Sequence, residues 1–135
     1  STYTQKCKEI IPENLKKDVV WCAFIKNAQL KYIYESAYAF LLPSVQEIFG
    51  MVLLEAMYFG LPVVSSRSAG AGTLIQNNRN GLIVEQFNIC AWKDAIQKLL
   101  EDEVLARNLG NEARKTIKKD FMWDSIADKM LKYMD

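Results

Sequence analysis

Apolar and polar positions change period several times along this chain, and each change marks an element. Residues 1–17 are mostly polar and punctuated by Pro12, with a short helix expected over residues 12–17. Residues 19–25 (VVWCAFI) form an apolar, β-branched and aromatic run of strand length. Leu30, Ile33, Tyr34, Ala37 and Tyr38 then recur at helical spacing, predicting an amphipathic helix from about Gln29. Residues 38–42 read as a second strand, closed by Pro43 and Ser44. Residues 51–58 are apolar on nearly every side of a helix, which marks a buried one.

Gly60 ends that helix and Pro62 opens a third strand over residues 63–66. Residues 67–72 read as a glycine-rich turn, with a short helix over 73–76. The turn NNRNG (77–81) leads into a fourth strand over 82–84. The remainder is helical. Its three apolar stripes are Trp92, Ala95, Ile96, Leu99 and Leu100; Leu105, Leu109, Ala113 and Ile117; and Trp123, Ile126, Ala127, Met130, Leu131 and Met134. Alternating strands and helices predict a parallel sheet with helical crossovers. The strands are continuous apolar runs, so helices are expected on both sheet faces.

With 135 residues, the chain fits one domain spanning residues 1–135. Half of it is hydrophobic and 24% charged, a folded composition. The net charge of +1 argues against nucleic acid as a partner. The absence of histidine excludes Ser-His-Asp and Cys-His nucleophiles and His-ligated zinc, leaving carboxylates for acid–base work. Cys7, Cys22 and Cys90 are odd in number and widely spaced, and read as reduced buried thiols of a cytoplasmic protein. No signal peptide is visible and no uncharged stretch is long enough to span a bilayer. A start at Ser1 without methionine suggests a trimmed chain or a piece of a longer one.

In an open parallel sheet, ligands bind at the carboxyl ends of the strands. The second such end is the most unusual. Glu47 lies in its loop, Gly50 allows close backbone approach, and an uncharged helix follows whose N-terminus favours an anion. Glu55 lies about two turns into that apolar helix, where a carboxylate is costly unless paired. Taken alone, two such glutamates are more often structural than functional. The run GAGTLI (70–75) is a weak, truncated dinucleotide fingerprint. Lys115, Lys118, Lys119, Lys129 and Lys132 read as a solvated face, with contact to a membrane surface as the second reading.

The run LLPSVQEIFGMVLLEAMYFGLPVVSS (41–66) resembles the group-1 glycosyltransferases, nucleotide-sugar enzymes of the GT-B fold. Pro43-Ser44, Glu47, Phe49-Gly50, Glu55-Ala56-Met57, Gly60, Pro62-Val63-Val64 and Ser65 match that family's pattern of two glutamates with seven residues between them. Residues 19–25 resemble the family's strand before the donor site, residues 80–84 its Asn-Gly-Leu strand, and Phe121-Met122-Trp123 its Phe-Ser-Trp. The resemblance implies an α/β, Rossmann-like parallel sheet: the carboxyl-terminal GT-B half, lacking its first strand-helix units.

By the same resemblance the chain is a partial nucleotide-sugar-binding domain, the donor-binding part of a retaining glycosyltransferase. It implies catalytic Glu47 on the transferred sugar, and backbone amides of Phe49, Gly50, Met51 and Val52 around sugar and diphosphate. Glu55 takes the ribose, and Ala23 and Phe24 lie near the base. No metal or other cofactor is implied; the nucleotide sugar is the substrate. Ala23 stands where the family usually has Gly, and Thr73 where it often has Glu. Neither the acceptor-binding amino-terminal domain nor the family's Lys or Arg for the diphosphate is present, so the isolated chain is expected to be inactive. The donor sugar, its base and the acceptor are unread, polysaccharide or glycolipid synthesis being a family-level expectation. Location in the cytoplasm or at the inner membrane face is expected, and a homodimer through an exposed sheet edge. The alternative is a stand-alone, non-catalytic nucleotide-binding or interaction module.

Overall fold

The computed structural model describes residues 2–48 and 50–120. In chain order they form α1 (Thr2–Ile10), a 3-10 helix (Glu13–Asp18), α2 (Asn27–Ser36), β1 (Phe40–Leu42), α3 (Met51–Tyr58), β2 (Val63–Ser66), α4 (Ala69–Leu74), β3 (Leu82–Val84), α5 (Ile89–Glu101) and α6 (Glu103–Asp120). The strands form one parallel sheet in the order β1-β2-β3, pairing Phe40 with Val63 and Val64 with Leu82.

Because successive strand residues face opposite sides, β2 sends Val63 into one apolar layer and Val64 into another. The first layer joins Tyr34 of α2, Leu53, Leu54, Ala56 and Met57 of α3, Ala71 and Leu74 of α4, and Ala113 and Ile117 of α6. The second joins Leu82 and Val84 of β3, Leu99 of α5, and Ala106 and Leu109 of α6. Every residue of β2 is buried, as continuous apolar strands require when helices cover both faces.

The turn from α3 to β2 is fixed by a Schellman motif. Gly60, at φ +75°, donates its N–H to Met57 O, and Leu61 N–H bonds Ala56 O. The long helix α6 crosses this turn so closely that a Cβ on Gly110 would overlap the Gly60 carbonyl.

The two sheet edges differ. In β3, Asn77 Oδ1 accepts the Ile83 N–H at 2.9 Å, covering a backbone donor that faces away from β2. In β1, Phe40 N–H bonds Pro62 O, so the Leu41 backbone faces outward, and no described strand lies on that side.

Three expectations are corrected. Residues 19–25 form no strand. Among the described residues the sheet ends at β1, so their backbone has no strand to pair with, and Val20 and Phe24 are more than 80% exposed. For the same reason Cys22 is exposed rather than buried; Cys90, on the open face of α5, is exposed too. The helix expected over residues 73–76 starts earlier, as α4, because Ser68 Oγ caps it by accepting the Ala71 N–H at 3.1 Å. The amino-terminal residues carry α1, a helix with no buried residue, before the expected short helix at Glu13–Asp18. The third apolar stripe, from Trp123 to Met134, lies outside the described residues, as do Phe121 and Met122.

Candidate functional site

Three loops leave the carboxyl ends of β1, β2 and β3, and side chains tie them together. At the end of β2, Ser66 Oγ lies 2.6 Å from Ser44 O and 3.2 Å from Leu42 O, so the hydroxyl holds the exit of β1 against β2. The loop then turns at Glu47, whose Oε1 accepts the Gly50 N–H at 3.0 Å. Gly50 adopts φ +65°, a left-handed conformation costly for other residues, and starts α3 there. The Glu47 carboxylate thus lies at the helix N-terminus, where peptide dipoles favour negative charge. It keeps acceptor capacity beyond the Gly50 bond.

The loop is seated on α4. Gly70 N–H donates to Glu47 O at 2.7 Å, and a Cβ on Gly70 would come within 3.0 Å of both Glu47 O and Gly50 N. The glycine-rich run after β2 therefore serves as the bed on which the Glu47 loop rests. A dinucleotide fingerprint is not needed to explain it.

Glu55 is 3% exposed among the apolar residues of α3. The Tyr34 hydroxyl donates to its Oε2 at 3.4 Å, meeting the need of a buried carboxylate for a partner. Burial, then the Glu55 charge and this hydrogen bond, push the Tyr34 phenol well above its ordinary value. The Tyr34 ring is stacked on Phe59 at 5.2 Å and tilted against Phe40 at 6.2 Å, which fixes its direction.

The remaining residues divide clearly. Met51 is half-buried and Val52 exposed in the first turn of α3, beside Gly50 and Glu47. Phe49 lies outside the described residues. Ala23 and Phe24 are exposed in the irregular segment before α2, so the strand that was to present them is missing. Sequence reasoning missed Tyr34, Ser66, Ser68 and Gln86 as supports. The serines could have been found as strand-end and helix-cap residues, whereas a loop glutamine gives no such signal. Among the described residues no three of His, Cys, Asp or Glu converge as metal ligands, and no helix is long and apolar enough to cross a membrane.

Comparison with known proteins bears on the family and the fold. The family model described as "Glycosyl transferases group 1" matches residues 2–116. An uncharacterised glycosyltransferase of Methanocaldococcus jannaschii is 34% identical over 113 residues, which are 84% of this chain and 29% of that protein. Among solved structures, sucrose-phosphate synthase from Thermosynechococcus elongatus matches 99% of this chain with a TM-score of 0.84 at 30% identity. S. aureus TarM, solved with UDP, matches all of it with a TM-score of 0.80 at 28% identity. This chain covers 34% and 27% of those two chains, so it spans about a third or less of these relatives.

Proposed function

Since the chain belongs to the group 1 glycosyltransferases and has the Rossmann-like fold of their carboxyl-terminal GT-B half, we propose that it is the donor-binding part of a retaining enzyme, residues 1–135 acting as one partial domain. The donor is a nucleoside-diphosphate sugar, a class to which the UDP bound by TarM is related. The observation that carries this reading is the Glu47–Gly50 turn, which puts a carboxylate and a helix N-terminus side by side at a strand end.

In this reading Glu47 accepts hydroxyls of the transferred sugar close to the reacting carbon. The Gly50 amide is taken by Glu47, and the next amides of α3, those of Met51 and Val52, face the diphosphate, whose developing charge is stabilised by the α3 dipole without a metal. Glu55, held by Tyr34, accepts ribose hydroxyls. Ala23 and Phe24 belong beside the base, and their exposure fits a surface completed by other parts of a larger enzyme. Transfer proceeds with retention through an oxocarbenium-like state. The chain works in the cytoplasm or at the inner membrane face, and its open β1 edge pairs with a second copy.

The second reading is a nucleotide-binding module without transfer. Calorimetric titration with UDP, UDP-glucose, GDP and GDP-mannose tests both. Binding of a nucleotide sugar that weakens in Glu47→Ala and in Glu55→Ala is expected, with no turnover. A folded chain that binds none of the four at millimolar concentration would overturn the donor-site reading. Binding that both variants leave unchanged would remove the assigned residues and leave only the module.

A further inference from the structure

We propose that Gln86 is a positioning residue of this site, a clamp that holds the Glu47 loop in register without touching the donor; the inference rests on the donor reading of Glu47. Its side-chain Nε2 donates both hydrogens to backbone carbonyls, Val45 O at 2.8 Å and Arg67 O at 2.8 Å. Val45 is two residues before Glu47 in the loop after β1, and Arg67 is three residues before Gly70 after β2. One amide thus joins three strand ends, its own after β3 and the two that meet beneath Glu47.

The chemistry of the contact is selective. Two carbonyl oxygens converge on one atom, so that atom must offer two hydrogens at a short, fixed reach. The segment carrying Gln86 is held for the purpose. Arg67 N–H bonds Val84 O at 2.9 Å, and Arg67 Nε lies 2.6 Å from Glu85 Oε1. The next residue, Phe87, takes φ +62° although it is bulky and 80% exposed. A left-handed conformation is uncommon for such a side chain and occurs where surrounding structure imposes it. Here it turns the chain immediately after Gln86, and Asn88 then caps α5 by accepting the Ala91 N–H at 3.0 Å.

The consequence is directional. Glu47 is gripped on its far side by the Gly70 and Gly50 amides, and on its near side through Val45 by Gln86. Releasing the near side leaves the hydrophobic layers intact and loosens the carboxylate that reads the sugar. The nucleotide, held by α3 and Glu55, is unaffected.

The test compares wild type, Gln86→Leu and Gln86→Glu, using the whole 135-residue chain. Gln86→Leu is expected to reduce the affinity advantage of UDP-glucose over UDP about fivefold, with UDP affinity within about twofold of wild type. Amide hydrogen exchange at Gly50 and Gly70 is expected to speed up about tenfold, while buried β2 amides keep their protection. The isosteric Gln86→Glu loses both donors when ionised and regains one when protonated. Its Gly50 and Gly70 amide resonances are therefore expected to move toward wild-type positions as pH falls through the carboxyl range. Unchanged exchange and resonances in both variants overturn the clamp. Equal loss of UDP and UDP-glucose affinity overturns its selectivity for the sugar. If Gln86→Leu does not fold, the pH response of Gln86→Glu decides. If wild type binds none of the nucleotides, the donor reading falls and the exchange measurements still judge the clamp.

Discussion

Glu55 carries a carboxylate into a layer of Leu53, Leu54, Ala56 and Met57, and Tyr34 reaches it from another helix. Removing the hydroxyl in Tyr34→Phe keeps the ring packing on Phe59 and takes one donor from Glu55. A loss of about 1–2 kcal/mol is expected from urea unfolding at neutral pH. The same pair sets an alkaline limit. The folded protein holds the Tyr34 proton more tightly than the unfolded chain, so this stabilising contribution is complete below the ordinary phenol value of about 10 and declines as pH rises above it. Unfolding midpoints from neutral to alkaline pH are expected to fall less steeply in Tyr34→Phe than in wild type. Glu47 stood out as a carboxylate in a strand-end loop and Glu55 as one on an apolar helix, but their roles came from the family resemblance and not from their spacing. Tyr34 was read only as one apolar position of a helix stripe, since no spacing rule reports a partner in a distant element. Gln86 gave no signal for the same reason.

Elements were legible where one covered face decided them. The periodic stripe around Tyr34 became α2, the all-round apolar run became α3, and the runs before Arg67 and Glu85 became β2 and β3 with the expected bounds. Residues 19–25 failed because strand propensity counts only beside a partner strand. The start of α4 was misjudged because Gly70 and Gly72 outweighed the Ser68 cap in a local reading. Gly70 is required by its contact with the Glu47 loop, which no local pattern reveals. Gly110 is a comparable case in the middle of α6. Glycine there lowers helix propensity, yet alanine would drive its Cβ into the Gly60 carbonyl. Gly110→Ala is expected to destabilise by about 1–3 kcal/mol in urea unfolding, although propensity alone would favour it. A gain in stability would show that α6 shifts freely over the turn.

At the scale of the molecule, the parallel sheet and the cover on both faces followed from the alternation of strands and helices. The state of its edges did not, because an edge is defined by what does not pair with it. With Leu41 facing outward and 43% exposed, the β1 edge can accept a strand. Sedimentation over rising concentration is expected to show a dimer that Leu41→Lys abolishes. A wild-type profile that stays monomeric throughout would remove edge pairing from the proposal.

The side chain of Asn77 over the Ile83 amide has a consequence for such association. A molecule with two open edges can polymerise, each copy passing an unpaired strand to the next. Among the described residues, the β3 end has its outward Ile83 donor already occupied from within, which leaves the β1 end the more receptive of the two. A pair formed through two β1 edges would then present only β3 ends outward, and growth is expected to favour a closed pair over propagation into a fibril.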